Sequence, residues 1–169
     1  PPNTPTDDDR PAIAGINSPQ ANEGGNLDFQ VQLTHSSTTA TTIELTLSSG
    51  TATLGVDTGT PLVSFNGGQS FTALTLDPVT GNVTIVVPAN TAPDQIIVRV
   101  PTLADNLTEP AETIKLTAST PDAAPGNTGP VEATGTINDT TGQPTLSISG
   151  PTSVNETEGL WTYTVTLSN

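Results

Sequence analysis

Residues 96–118 read IIVRVPTLADNLTEPAETIKLTA. The ends of this stretch alternate: Ile96, Val98 and Val100 before its middle, Ile114, Leu116 and Ala118 after it. A period of two is the mark of a half-buried β-strand. Between the strands lies Asp105-Asn106-Leu107-Thr108-Glu109-Pro110-Ala111-Glu112-Thr113, which puts three carboxylates within eight residues. With hardly any base nearby, such a turn repels itself unless a cation arrives.

The same pattern extends outward. Ala12–Ile16 reads as a short first strand. Leu27, Phe29, Val31 and Leu33 alternate with polar residues, and Ile43, Leu45 and Leu47 form the inward face of the next strand. A short strand and loop is expected over Gly50–Asp57, a strand around Val63 and Phe65, and a bulged strand from Phe71 to Leu76. Val83, Ile85 and Val87 follow. Val131, Ala133 and Ile137 mark the last strand before Asn138-Asp139-Thr140. Turn signals separate them: Asn22–Asn26, Asn66-Gly67-Gly68 and Asp77–Gly81. No helical period stands out. Many short strands with regular turns predict an all-β, antiparallel sandwich.

The chain has 169 residues, of which 32% are hydrophobic and only 3% aromatic, with 15 Gly and 16 Pro. That suits a thin sandwich of Val, Ile, Leu and Thr. The net charge is −14, and only Arg10, Arg99 and Lys115 are positive. Nucleic acid and anionic membrane surfaces are excluded as partners, because no phosphate-neutralising patch can be assembled. No apolar run approaches the roughly 20 residues of a membrane helix, so no membrane insertion is expected. There is no Cys, so stiffness must come from elsewhere, and metal is the usual substitute. The opening Pro1-Pro2-Asn3 carries no leader pattern, and the chain is expected to be an internal stretch of a longer soluble protein.

A second copy begins after Gly142. Pro11-Ala12-Ile13 matches Pro144-Thr145-Leu146 at an offset of 144 − 11 = 133. Phe29, Val31 and Leu33 match Tyr163, Val165 and Leu167 at 163 − 29 = 134. The extra residue falls in the turn, where Asn22-Glu23-Gly24 becomes Asn155-Glu156-Thr157-Glu158-Gly159. The expected organisation is a linker over 1–10, a β-sandwich repeat over 11–140, a linker over 141–143, and the opening strands of an incomplete second repeat over 144–169. Leu160–Leu167 is an amphipathic strand without partners of its own kind, and such an edge invites pairing with another chain. Two readings stand: a truncated copy engaged in strand exchange with a neighbour, or a split domain completed by a later segment.

Glu23-Gly24, then Gly50-Thr51-Ala52 with Gly55 and Asp57, then Asp105, Glu109 and Glu112, then Gly135-Thr136-Ile137-Asn138-Asp139 stand in the order of Calx-β-type motifs. Asn66-Gly67-Gly68-Gln69-Ser70, Val87-Pro88-Ala89-Asn90 and the recurrence itself resemble the tandem repeats of large RTX adhesins, exported by type I secretion in Gram-negative bacteria. The resemblance covers about residues 11–140 and, weakly, 144–169. It implies an immunoglobulin-like Greek-key sandwich, calcium near the domain ends, and a role at the bacterial cell surface as an extender. That family often has an aromatic after the Asp at position 57, where Thr58 stands here, and often ends in paired Asp, where Asp139 stands between Asn138 and Thr140.

Calcium takes six to eight oxygens and tolerates irregular geometry. Loops at one end of a sandwich lie close together though far apart in sequence. Glu23, Asp57, Asp105, Glu109, Glu112 and Asp139 all fall in loops or at strand ends and are the candidate ligands. Asp7, Asp8 and Asp9 precede the first copy as Asn138-Asp139-Thr140 precedes the second, and are candidate junction ligands. Glu156 and Glu158 are candidates to serve the 140–144 junction from the other side. The blander reading of each acid is a turn former or a solvated loop charge. Catalysis is not expected, since the single His35 lies in a Ser/Thr loop with no supporting motif. The expected partners are neighbouring repeats and calcium. The rival function is a glycan- or peptide-binding extracellular module.

Overall fold

Alternating strands can bury one face only by packing it on a second sheet, and the chain does so. The structure is a computed structural model, and it describes residues 10–168 apart from 106, 122, 124–128, 143, 144 and 158. In chain order the strands are β1 (Ile13–Ile16), β2 (Gln20–Asn22), β3 (Asn26–Leu33), β4 (Thr41–Ser49), β5 (Leu62–Ser64) and β6 (Thr72–Ala73). They continue with β7 (Asn82–Val87), β8 (Ile96–Pro101), β9 (Glu112–Ser119), β10 (Val131–Asn138), β11 (Leu146–Ser149) and β12 (Thr164–Leu167).

Sheet one runs β1-β3-β8-β5-β6, sheet two runs β2-β10-β9-β4-β7, and β11-β12 form a separate hairpin. The connections β3–β4 and β8–β9 both cross between the sheets, the Greek-key arrangement of immunoglobulin-like sandwiches. The core sits between the two sheets. Leu27, Phe29, Val31, Val98 and Val100 come from sheet one; Ile43, Leu45, Ile114, Leu116 and Ala118 come from sheet two. Phe29 is its largest fully buried side chain. Gly135 in β10 makes room for it, since a β-carbon there would lie 2.7 Å from the Phe29 ring.

Four local features differ from the sequence expectation. The expected strand in Gly50–Asp57 is a looped turn. Its amides are taken by Thr113 O, which accepts from both Gly50 and Ala52, and Gly55 sits at φ 81°. The expected strand Phe71–Leu76 shrinks to β6; Phe71 lies just outside the ladder, with the Arg99 guanidinium 4.1 Å over its ring. The bulge belongs to β1, between Ile13 and Gly15. The chain then crosses between sheets at Asn17, whose side chain bonds Asp28 O and the Gln30 amide. That crossing creates β2, which pairs in parallel with β10 and makes sheet two mixed.

Outside the core, Arg99 grips Asp28 with two bonds of 2.7 Å across β3 and β8. Half-exposed, this pair contributes little to stability.

Candidate metal centre at the exit end of the sandwich

Strand register brings one set of chain segments to one end of the sandwich. Asn26 faces Pro101, Asn138 faces Asn22, Ile137 faces Glu112 and Ser49 faces Ile114. The β2–β3 turn, the β4–β5 loop, the β8–β9 loop and the segment after β10 therefore meet there. These are the segments that carry Glu23, Asp57, Asp105, Glu109, Glu112 and Asp139.

Backbone bonds hold the four segments together. The Glu23 amide donates to Asn138 O at 3.0 Å, which ties the turn to β10. Thr102 donates its amide to Gly25 O and its hydroxyl to Asn22 O, both at 2.9 Å. The Leu103 amide donates to Asp57 O at 2.9 Å and fixes the β4–β5 loop on the β8–β9 loop. Gly24 takes φ 73° to make the turn beside Ala104. The Glu109 amide donates to Asp139 Oδ2 at 2.8 Å.

The electrostatics record how close the acids stand. Burial pushes the Glu23 carboxyl above its ordinary value, and the charges of Asp139, Asp105 and Glu109 push it further, against a backbone hydrogen bond from Asp105. Burial also raises Glu112, followed by Asp57, Glu109, Glu23 and Asp105. All six described candidates thus fall within one mutually repelling group. Glu23 Oε2 is buried and has no hydrogen-bond partner among the described residues. A buried carboxylate oxygen without a donor is costly.

Among the described residues, no three acidic side chains form a set ready to hold an ion as they stand. Three of the carboxylates are already engaged: Asp105 Oδ1 accepts from the Leu107 amide at 2.7 Å, and Asp57 and Asp139 are bonded as well. Asp57 Oδ2 accepts from the Thr53 amide at 2.6 Å. Asp139 Oδ1 accepts from the Thr141 hydroxyl and amide, each at 2.6 Å. The Thr141 hydroxyl also lies 2.6 Å from Leu107 O, so the outgoing segment is folded back onto the acidic loop. Asp7, Asp8, Asp9 and Glu158 lie outside the described residues, and Glu156 is exposed in a turn.

Sequence reasoning missed the hydroxyls that organise this end. Thr58 is buried, bridges to Thr102 and accepts the Gly55 amide at 3.1 Å, filling the loop from within. Thr141 was passed over as linker. Its only sequence signal is its place directly after the terminal Asn138-Asp139-Thr140.

A second concavity lies between residues 54–61 and 74–81 and is open to solvent. Its one carboxylate, Asp77, is spent on the turn: Thr80 bonds it through amide and hydroxyl, and these bonds with that of Val79 hold it below its ordinary value.

The raised pair sets a pH dependence. Glu23 and Glu112 bind protons more tightly in the folded chain than in the unfolded chain. Their contribution to stability therefore falls as pH rises through the window above the ordinary Glu value, and returns on acidification. Asp139, lowered chiefly by Thr141, and Asp77 act oppositely and lose their contribution as pH falls below 3.8. In chelator, the melting temperature is expected to rise from about pH 7 to about pH 5 and to fall below about pH 4. Melts of the chain and of Glu23→Gln/Glu112→Gln check this; the variant should lose the rise between the upper two values.

No family model and no curated protein matches the chain. Solved structures do match, at low identity. CBD12 from CALX1.2 is 18% identical over 77% of this chain and 45% of its own, with a TM-score of 0.49. The apo-form Calx CBD1 domain is 17% identical over 74% of this chain and 97% of its own, at 0.44. CaCohA2 from Clostridium acetobutylicum is 13% identical over 76% of this chain and 90% of its own, at 0.45. The chain thus spans less than half the length of the first. The class is defined by the strand pairing itself: an immunoglobulin-like β-sandwich module with an acidic end.

Proposed function

We propose that this chain is a calcium-stabilised extender repeat of a bacterial cell-surface adhesin, which holds a distal ligand-binding region away from the cell in adhesion and biofilm formation. The observation that carries the calcium part is the acidic end: six carboxylates from four chain segments, with Glu23 Oε2 buried and unbonded among the described residues. Calcium supplies the compensating positive charge and accepts irregular oxygen shells. Glu23, Glu112 and Glu109 are the residues to hold it. Asp57, Asp105 and Asp139 join by exchanging their present donors, and Asp7, Asp8 and Asp9 are assigned to the preceding junction. Residues 11–140 are taken as one repeat, and 141–143 as the joint to the next.

Support for the extender role is the folding of Thr141 onto Leu107, beside the acids. An ion there acts on the joint as well as on the sandwich. The setting is extracellular, where calcium reaches the roughly 10⁻⁴–10⁻³ M dissociation constants typical of such modules. The proposal is of a non-catalytic module; His35, the chain's single histidine, bonds its neighbour Thr34.

Calorimetric titration of calcium into the chelated chain tests the reading. Heat with a dissociation constant of about 10⁻⁴ M, weakened at least tenfold in Glu23→Gln/Glu112→Gln, supports it. An absence of calcium binding at millimolar concentration sinks it. A glycan array separates the extender from a glycan-binding module, because an extender leaves every spot empty.

A further inference from the structure

A sheet edge shows unpaired backbone to solvent, and proteins blunt such edges with short strands, bulges, prolines or charges. Three of the four edges of the sandwich are blunted. β1 carries the bulge between Ile13 and Gly15, β2 has three residues and β6 has two. The fourth edge is β7, six residues long, which bounds sheet two beyond β4. It reads Asn82-Val83-Thr84-Ile85-Val86-Val87, without charge or proline. It pairs with β4 in unbroken register.

That register decides which backbone groups are free. Leu47 donates its amide to Gly81 O at 3.0 Å. Narrow pairs of an antiparallel ladder recur at every second residue. Val83, Ile85 and Val87 therefore turn their amides and carbonyls toward β4, and Thr84 and Val86 turn theirs outward. Among the described residues, no strand lies beyond β7 and no loop group bonds these four. Both ends of the edge are closed. Asn82 O accepts the Asp77 amide at 2.9 Å. Pro88 has no amide, and its carbonyl accepts the Thr91 amide and hydroxyl.

We propose that β7 pairs with β7 of a second copy, antiparallel, about a two-fold axis at Ile85. Thr84 then stands opposite the second copy's Val86, and Val86 opposite its Thr84. Each such pair exchanges two N–H···O bonds, so all four free groups on either chain are satisfied. Next along the edge, Asn82 meets Pro88: a carbonyl already taken faces a residue without a donor. The ladder ends where the free groups end. Sliding the copies by two residues sets Val86 against Asn82, or Thr84 against Pro88, whose carbonyls are taken. A strand of another protein would need no such match at the ends, which favours the second copy. Val86, 58% exposed, gains Thr84 as a cross-strand neighbour. Glu44, opposite Thr84 in β4, stands one strand back from the seam. The pairing itself needs neither calcium nor tandem repeats. On the extender reading it sets two rods in opposite directions, as rods from facing cells run, and tandem edges add their weak contacts.

One strand pair is a small contact, so a dissociation constant of about 0.1–1 mM is expected for the 169-residue chain. Sedimentation over that range, in excess calcium, should show monomer and dimer in equilibrium. The net charge of −14 opposes the pairing, so the dimer should tighten several-fold from about 0.05 to about 0.5 M salt. Amide exchange reads the seam. Thr84 and Val86 should slow at least tenfold as concentration rises, while Val83, Ile85 and Val87 stay unchanged. Val86→Pro removes an outward donor that β4 does not use, and should abolish both effects. Val86→Thr keeps that donor and should keep the dimer. If Val86→Pro fails to fold, Val86→Glu serves in its place; its two added charges at the seam should weaken the dimer at least tenfold. A chain that stays monomeric at about 1 mM, with Thr84 and Val86 exchanging freely, overturns the proposal. So does a dimer that Val86→Pro or Val86→Glu leaves intact, which would place the contact on another surface, such as the β11–β12 hairpin. Either failure leaves the calcium titration above standing.

Discussion

Chelating calcium is expected to lower the melting temperature of the chain by about 10 °C or more. A ligand at a hundred times its dissociation constant stabilises the folded state by about 2.7 kcal/mol. At this size each kcal/mol moves the midpoint by about 4 °C. Unscreened repulsion among Glu23, Asp105, Glu109, Glu112 and Asp139 adds to the loss. The variant Glu23→Gln/Glu112→Gln sharpens the test, because it removes ligands and repulsion together. In calcium it should melt below the native chain; in EGTA it should melt above it. Circular dichroism melts in both buffers decide the matter. Coincident native melts with and without EGTA would mean that the acidic end is only a solvated loop cluster.

Phe29→Ala is expected to cost about 3–5 kcal/mol, the range for emptying a large aromatic from a core. Small domains hold about 5–15 kcal/mol in all, so the variant stands near the edge of folding. The site gives little chance of collapse. Phe29 sits in β3 between β1 and β8, and its ring lies over Gly135 of the facing sheet. Gly135→Val attacks the same contact from the other side, with a β-carbon 2.7 Å from the Phe29 ring and 3.0 Å from Leu27. Overpacking of that kind costs about 1–3 kcal/mol. Combined, the two substitutions should cost less than their sum, because the valine enters the space the ring vacates. Denaturant unfolding of the four proteins, with an unchanged slope, measures the coupling. A Phe29→Ala loss below about 1 kcal/mol would place the core elsewhere.

The sandwich was legible because its central strands follow period two without interruption. Leu27-Phe29-Val31-Leu33 and Ile43-Leu45-Leu47 alternate cleanly, and each of these residues is buried. Edges and crossings were not legible. Gln20-Ala21-Asn22 has no apolar alternation; it is a strand because Thr136 and Asn138 offer it backbone partners. Phe71–Leu76 carries strand-forming residues, yet only Thr72 and Ala73 join the ladder, while the Phe71 ring stacks under the Arg99 guanidinium. Both outcomes depend on residues more than twenty positions away, which a local pattern does not register. At the acidic end, residue type and loop position single out Glu23, Asp57, Asp105, Glu109, Glu112 and Asp139 as candidates, and strand register brings the segments that carry them to one end of the sandwich. Their present hydrogen bonds were not readable, since a carboxylate engaged by Thr53 or Thr141 has the same letter as one facing solvent.

The short β2 strand has a mechanical consequence. It runs parallel to β10, with Gln20, Ala21 and Asn22 beside Thr136, Ile137 and Asn138. These are the first strand of sheet two and the last strand of the sandwich. Tension applied at the two ends of residues 11–140 draws the two strands lengthwise past each other. Their hydrogen bonds are then loaded together in shear, instead of opening one at a time like a zipper. Three residues of unremarkable sequence act as the fold's clasp against pulling.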